Sequence, residues 1–174
     1  MAIETSRLLL RKALPSDADS MYRNLWSRPE SFRHTFWSPS ASPEEAKERM
    51  ARTIRFQKNH DSFLVIEKTT GEAIGFAGVE REEDTVWAEA GICLGPDYVR
   101  NGFGTEILLA LIRYVRQTFG ATAFVYRTQE ANIPSKKLAE KTGFRRVATE
   151  TVPHPQTGDL CSLAVYRLDF GRSV

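Results

Sequence analysis

The stretch GTEILLALIRYVRQTFG, residues 104–120, constrains the fold of this chain most. It carries Ile107, Leu108, Leu111, Ile112, Val115 and Phe119 at helical spacing, a single apolar stripe that has to be buried, and Gly120 stands where it can cap the end. On either side lie runs with strand character, TVWAEAGICLG before it and ATAFVYRT after it. Two strands joined by a long helix cannot form a tight hairpin, so they pair in parallel through a right-handed crossover with the helix packed on the sheet.

The rest of the chain supplies the remainder of that sheet. IETSRLLLRKAL reads as a first strand and PSDADSMYRNLW as a short helix capped by Ser16. SPEEAKERMARTIRFQKN opens a second helix with a Ser42/Glu45 capping box and Pro43 at its first position, where the missing N–H does no harm. Between these helices, SRPESFRHTFWSPSA is too rich in Pro and Ser for regular structure and too aromatic for a tether, which predicts a working loop or broken helix. SFLVIEK, AIGFAGVER and TVWAEAGICLG, separated by the turns TTGE and EED, predict an antiparallel meander. PSKKLAEKTGF predicts a short helix closed by Gly143, and RRVATETV and LCSLAVYRLDF two last strands around PHPQTGD. The expected fold class is α/β: a mixed, mostly antiparallel sheet with one β-α-β unit and flanking helices, in one domain spanning residues 1–174.

Composition narrows the partners. Hydrophobic residues at 41% with charged residues at 26% suit a globular protein and are too apolar for a disordered one. A net charge of +2, from 24 Lys and Arg against 22 Asp and Glu, gives no electrostatic reason to expect nucleic acid or a membrane surface. No basic leader and no membrane-length apolar run are present, and Cys93 and Cys161 lack ligand or C-x-x-C spacing, so buried thiols in a reducing cytoplasm are expected. His34, His60 and His154 show no spacing for a metal site or a triad, and no metal is expected.

The loop before the central helix, PDYVRNGFGT, sets Gly102 and Gly104 in a helix's first turn, where glycine is unfavourable. A strand, a glycine turn and a helix N-terminus form an arrangement that binds anions, because backbone N–H groups can converge on a phosphate that no Cβ keeps at a distance. A plain tight turn is the competing explanation. A triphosphate loop would need Gly-Lys-Ser/Thr after the glycines, which is missing, and a dinucleotide fingerprint would need glycine where Ile107 stands.

Together, AEAGICLGPDYVRNGFGTEILLALIRYV and NIPSKKLAEKTGF resemble the acetyl-coenzyme A core of the GNAT superfamily of N-acetyltransferases, and SRLLLR with the N-x-x-S-x-x-L-x-E-K-x-G-F string resembles its ribosomal-protein N-terminal alanine acetyltransferase branch. The resemblance implies that Val99, Arg100, Asn101, Gly102, Phe103, Gly104 and Thr105 hold the cofactor's diphosphate through the main chain. The family turn usually opens with Arg or Gln; Val99 holds that place here and the arginine comes one residue later. It further implies that the strand before the turn splays from its parallel neighbour and bonds the pantetheine arm at Ile92, Cys93 and Leu94, joined by Asn132, which can also serve as an N-cap. An acetyl-coenzyme A-dependent acyltransferase follows, acting on an amine acceptor as a monomer or homodimer in the cytoplasm, with neither nucleic acid nor membrane as partner.

Chemistry then asks for a base, since an ammonium has no lone pair with which to attack a thioester. Relatives with the pattern A-E-x-x-x-C use its glutamate, which AEAGIC maps onto Glu89; a salt-bridged strand carboxylate is the alternative. Strict alternation puts Val86, Ala88, Ala90, Ile92 and Leu94 on one face and Trp87, Glu89, Gly91 and Cys93 on the other, which would bury Glu89 and raise its pKa. Many relatives place an acidic tyrosine in the later helix, where this chain has Ala139, leaving Ser135 to protonate the thiolate or merely bond the backbone. The N–H of Leu94 can polarise the thioester carbonyl. Trp26, Phe32, Arg33, His34, Phe36 and Trp37 fall in the segment that relatives lay over the acceptor, and Glu80, Glu82, Glu83 and Asp84 could draw a cationic one. Three readings stay open: acetylation of a protein N-terminal α-amine, acetylation of a small amine such as an antibiotic or polyamine, and an acyl-coenzyme A sensor without turnover.

Overall fold

In the computed structural model, which describes residues 2–171, the crossover forms around α3 (Phe103–Phe119), whose apolar stripe is buried from Ile107 to Val115. Phe119 remains partly exposed but stacks on Trp87 with ring centroids 4.0 Å apart. Gly120 ends the helix in the left-handed conformation, as its position after the stripe predicts. The strands on either side, β5 (Val86–Leu94) and β6 (Ala123–Gln129), are parallel, yet only Val86↔Ala123, Trp87↔Phe124 and Ala88↔Val125 pair. Past Ala88 the two strands diverge and open a wedge in the sheet.

The other strands are β1 (Ile3–Glu4), β2 (Leu8–Arg11), β3 (Asp61–Glu67), β4 (Ala73–Arg81), β7 (Arg145–Pro153) and β8 (Leu160–Asp169). The sheet runs in the order β1-β2-β3-β4-β5-β6-β8-β7, antiparallel throughout except at β5–β6. The strand expected from IETSRLLLRKAL is in fact the hairpin β1–β2, because Thr5 turns the chain by bonding Leu8 through both its amide and its hydroxyl. One face of the sheet packs on α3, with Leu8, Leu10, Phe63, Val65 and Tyr126 in that core. The opposite face packs on α1 (Ala18–Met21) and α2 (Pro43–Gln57) through Met21, Leu25, Met50, Leu64 and Ile66.

The first helix departs from expectation in shape. It begins as a 3-10 turn at Pro15–Asp17 and ends as a π-helical stretch, Tyr22–Trp26, closed by Ser27 N–H to Tyr22 C=O at 3.0 Å. Ser16 makes no cap; the Asp17 carboxylate accepts the Leu14 amide at 2.8 Å and is held by Arg11. At α2 the hydroxyl of Ser42 accepts the Glu45 amide, whereas the Glu45 carboxylate takes the amide of Ala41, one residue earlier than a capping box requires.

A second departure bears on the site. Ala77 faces Ile92 and Val79 faces Glu89, so the single residue Gly78 opposes both Ala90 and Gly91, a β-bulge. Gly91 has φ +118°, and a Cβ there would lie 2.8 Å from the Trp37 ring, so glycine is required on both counts. The bulge reverses the phase of the strand. Ile92 and Leu94 join Trp87 and Glu89 on the α3 face and Cys93 turns to the α1–α2 face, which corrects the strict alternation expected from the sequence.

Candidate active site

The turn from Val99 to Thr105 leads into α3 through two left-handed residues, Arg100 (φ +65°) and Gly102 (φ +81°). Arg100 is the one non-glycine residue with positive φ among the described residues, a strained conformation of the kind that collects at binding sites. Gly102 is the N-cap and offers no side chain to the helix start. The first main-chain bond of the helix runs from Glu106 N–H to Gly102 C=O at 3.1 Å, so the amides of Phe103, Gly104 and Thr105 precede it without an acceptor inside the helix. Their dipoles add to those of α3, making this the positive end of a long helix.

The turn is bolted to β1–β2. The Glu106 carboxylate accepts Thr5 Oγ1 at 2.6 Å, Ser6 Oγ at 3.1 Å, Arg7 N–H at 2.9 Å and Arg7 Nε at 2.8 Å. Partial burial pushes the pKa of Glu106 up, but these donors outweigh it and hold the group at about 2. Arg7 also donates to the carbonyl of Asn101 at 2.9 Å and lies 4.4 Å over the Phe103 ring. The negative charge nearest the helix start is therefore neutralised locally, and the turn is held rigid.

Across the wedge stands α4 (Ile133–Lys141). Asn132 caps it, its side-chain oxygen accepting the Ser135 amide at 3.2 Å, which leaves the Asn132 side-chain NH2 with no bond among the described residues. Ser135 Oγ lies 2.7 Å from the hydroxyl of Tyr126, a buried β6 residue that sequence reasoning missed. The only available signal was the alternation of AFVYRT, which puts Tyr126 on the same face as Phe124. Ala139, at the position where many relatives carry a tyrosine, is fully buried and brings no hydroxyl to the site.

Glu89 is the first β5 residue beyond the last rung shared with β6, at the apex of the wedge. It keeps some accessible surface, but surrounding atoms crowd its carboxylate. Desolvation is the main cause that raises its pKa to about 7; the amides of Gly91 and Ile92 and the charge of Arg127 oppose the rise, and Glu80 adds to it. The Glu89 charge in turn contributes to raising the pKa of Tyr126, behind burial as the larger cause. Glu89, Tyr126 and Ser135 thus form one electrostatically coupled group on the α4 side of the wedge. Cys93, on the other face, is buried, donates to Ser31 C=O at 3.4 Å and has its thiol pushed up to about 12 by desolvation, which marks an inert thiol. Cys161 is only half-buried, against expectation, because the distal end of β8 lies outside the core.

On the α1–α2 face a cavity of about 520 Å3 reaches β5 at Ala90, the neighbour of Glu89. Trp26, Phe36, Trp37, Phe76 and Arg49 are among its walls. Trp37 stands edge-on to Phe76 at 5.0 Å, and Gln156 from the β7–β8 turn bonds Ser38 Oγ at 3.1 Å across the rim. Of the aromatic segment singled out in the sequence, Trp26, Phe36 and Trp37 line the cavity; Phe32, Arg33 and His34 do not, although Phe32 packs close behind. His154 sits edge-on to Phe36 at 5.2 Å, with its ring nitrogen receiving the Gln156 and Thr157 amides. Among the described residues no cluster of His, Cys, Asp or Glu could hold a metal, and no helix is long and apolar enough to cross a membrane. Glu80 and Glu83 are exposed, and Glu82 is paired with Arg127, so the acidic hairpin stands apart from the cavity walls.

Comparison with known proteins agrees with this geometry. Residues 7–145 match the family model described as an acetyltransferase (GNAT) domain. The uncharacterized N-acetyltransferase p20 of Bacillus licheniformis is 28% identical over 145 residues, covering 82% of this chain and 81% of that protein. The crystal structure of a GNAT-family acetyltransferase from Bacillus anthracis superposes with a TM-score of 0.82 at 19% identity, covering 97% of this chain and 98% of the other. An acetyltransferase from Salmonella typhimurium, described as modifying the N-terminal serine of ribosomal protein L7/L12, superposes with a TM-score of 0.76 at 17% identity over 98% of this chain and 100% of its own. With the family model covering well over half of its length, the wedge in its sheet and the bare helix start beside it, this chain belongs to the GNAT acetyltransferases.

Proposed function

We propose that the protein transfers acetyl from acetyl-coenzyme A to a primary amine by direct attack in a ternary complex, and that a protein N-terminal α-amine is the acceptor class. The observation that carries this reading is the meeting of the β5–β6 wedge with three unclaimed amides at the start of α3. These features suit the cofactor: converging donors for a diphosphate, and a strand past Ala88 with its β6-facing edge unpaired for a pantetheine arm. The amides of the turn Val99–Thr105, with Arg100 adding charge, would hold the diphosphate. The main chain of Ile92, Cys93 and Leu94 and the side-chain NH2 of Asn132 would hold the arm. Acetyl-coenzyme A, when bound, supplies an acyl group activated as a thioester.

This chain's residues then manage the protons. Glu89, with a pKa about 7, is ionised in about half the molecules at neutral pH and is suited to accept a proton from an ammonium. The amide of Leu94 is a donor for the developing oxyanion. Ser135, bonded to Tyr126, is the hydroxyl available to protonate a departing thiolate. The N-terminal α-amine rests on the structural neighbour whose description names an N-terminal serine. A small free amine is the second reading, favoured by a cavity whose volume matches a small-molecule site. The test is thiol release from acetyl-coenzyme A with peptides of free N-terminus, their N-blocked forms and simple amines. Release with free N-termini and none with the blocked forms is expected; binding without release from any amine would make the protein a sensor.

A further inference from the structure

Arg49 is a half-buried cation that forms no ion pair among the described residues. It lies on α2, with its guanidinium 5.0 Å over the Trp26 ring and 5.4 Å from the Phe32 ring. One nitrogen donates to Ser38 C=O at 2.7 Å and marginally to Ser40 Oγ at 3.5 Å. No carboxylate lies within ion-pair distance among the described residues, and Nε and the other terminal nitrogen have no acceptor. The acid on the cavity wall, Glu45, accepts the Ala41 amide at 2.7 Å and forms no ion pair with Arg49. Burial lowers the pKa of Arg49, with the neighbouring charge of Arg52 adding to the fall and that of Glu45 only partly opposing it, although no arginine loses its proton in the working range.

A second donor lines the same cavity. Gln57 is 2% exposed, and its Oε1 accepts the Ala13 amide at 2.7 Å, which fixes the side chain so that Nε2 is the free end. That Nε2 is buried and has no acceptor. Buried donors are nearly always satisfied, so one left open on a cavity wall points to an acceptor that arrives with a ligand. Arg52, also on the wall, adds a further positive charge, and its contact with Glu48 at 4.0 Å is loose and exposed.

Resting on the acyl-transfer reading, we infer that the acceptor amine also carries a carboxylate and an apolar or aromatic body. The carboxylate is received by Arg49, the body lies against Trp26, Trp37 and Phe76, Gln57 offers a separate donor further along the same wall, and the amine is directed toward β5 at Ala90, beside Glu89. A guanidinium fork backed by aromatic rings suits a planar carboxylate better than it suits a neutral group. The chemistry is unchanged: the acceptor nitrogen gains the acetyl, the C–S bond breaks, the thiolate is protonated, and the nitrogen's proton reaches Glu89 through the β5–β6 edge, which is unpaired past Ala88. The carboxylate can belong to a free amino acid or to an acidic residue near a peptide N-terminus.

The experiment measures thiol release from acetyl-coenzyme A by the full-length protein in two arms of matched acceptors. One arm compares phenylalanine with phenylalaninamide and phenethylamine; the other compares peptides that differ only by Glu against Gln at the second position. In at least one arm the carboxylate member is expected to be used about tenfold better in kcat/KM, through a lower KM, which is the size of one charge-assisted contact. Arg49→Gln, checked for folding by its melting curve, is expected to erase that preference. Equal use of the paired acceptors by the unaltered protein in both arms overturns the inference without any variant, as does a preference that survives Arg49→Gln. Release from some amines without a carboxylate preference leaves the acyl-transfer reading standing, whereas no release from any amine removes both.

Discussion

Replacing Glu89 by Gln tests the assignment of the base because the carboxylate's environment sets a numerical expectation. With its pKa raised to about 7 by desolvation, Glu89 is a base only above that point. At pH 6 about one carboxylate in eleven is ionised, so kcat/KM should rise roughly tenfold per unit below pH 7 and bend toward a plateau above it. A carboxylate at its usual value of 4.5 would give no bend there. Glutamine keeps the size and loses the proton acceptor, so the rate should fall by about 10²–10⁴ and the bend near pH 7 should vanish. Deprotonation of the acceptor amine also raises the rate with pH, but at its own pKa and in both proteins. The same substitution carries a stability signature of known sign. The folded-state pKa lies above the unfolded one, so ionising Glu89 opposes folding; the penalty is absent below about pH 4.5 and complete above about pH 7, at most about 3 kcal/mol. Glu89→Gln should therefore melt higher than the parent at pH 8 and level with it at pH 4.5. A glutamine variant whose pH–rate profile keeps the bend near pH 7, merely scaled, would falsify the role.

Other consequences follow from the same geometry. Glu106→Gln removes a carboxylate held at about 2, so the stabilisation it forfeits is full above pH 4.5 and disappears as pH falls toward 2. The limit is about 3 kcal/mol, and about 1–2 kcal/mol remains after allowance for the exposure of Arg7, a melting shift of roughly 3–6 °C at pH 7 that shrinks at pH 3. Gly102→Ala forces a side chain into φ +81° at a cost of about 1–2 kcal/mol, and calorimetry should show weakened coenzyme A binding together with a lower melting point. Ser135→Ala should lower kcat more than KM, and Tyr126→Phe should do so less severely, because the tyrosine acts through its 2.7 Å bond to Ser135. Equal effects of the two substitutions on KM alone would assign both to binding.

The sequence made the central crossover, the meander, the caps at Ser42, Asn132 and Gly120 and the glycine turn legible, because each depends on residues close together in the chain. It did not make legible what depends on distant neighbours. The bulge at Ala90 and Gly91 reverses the strand's facing, and its left-handed backbone together with the approach of Trp37 from another segment explains why Gly91 is there. The Glu106–Arg7 clamp joins segments 99 residues apart, and nothing local in GTEIL marks that glutamate as anything but a helix-start acid. Tyr126 looked like one more aromatic in a buried strand until α4 brought Ser135 to it. The π-helical turn at Tyr22–Trp26, which carries Trp26 into the cavity wall, leaves no mark that propensity could read.

The account depends on bare main-chain amides at the head of α3 gripping a diphosphate. Titration calorimetry of the protein with coenzyme A and, separately, with pantetheine, which lacks the diphosphate and the 3′-phosphoadenosine beyond it, measures the grip on that half of the cofactor. One coenzyme A per chain should bind, and pantetheine about a hundredfold more weakly, a difference of ~2.7 kcal/mol. Equal affinity for the two, or no heat with coenzyme A from folded protein, would contradict the account.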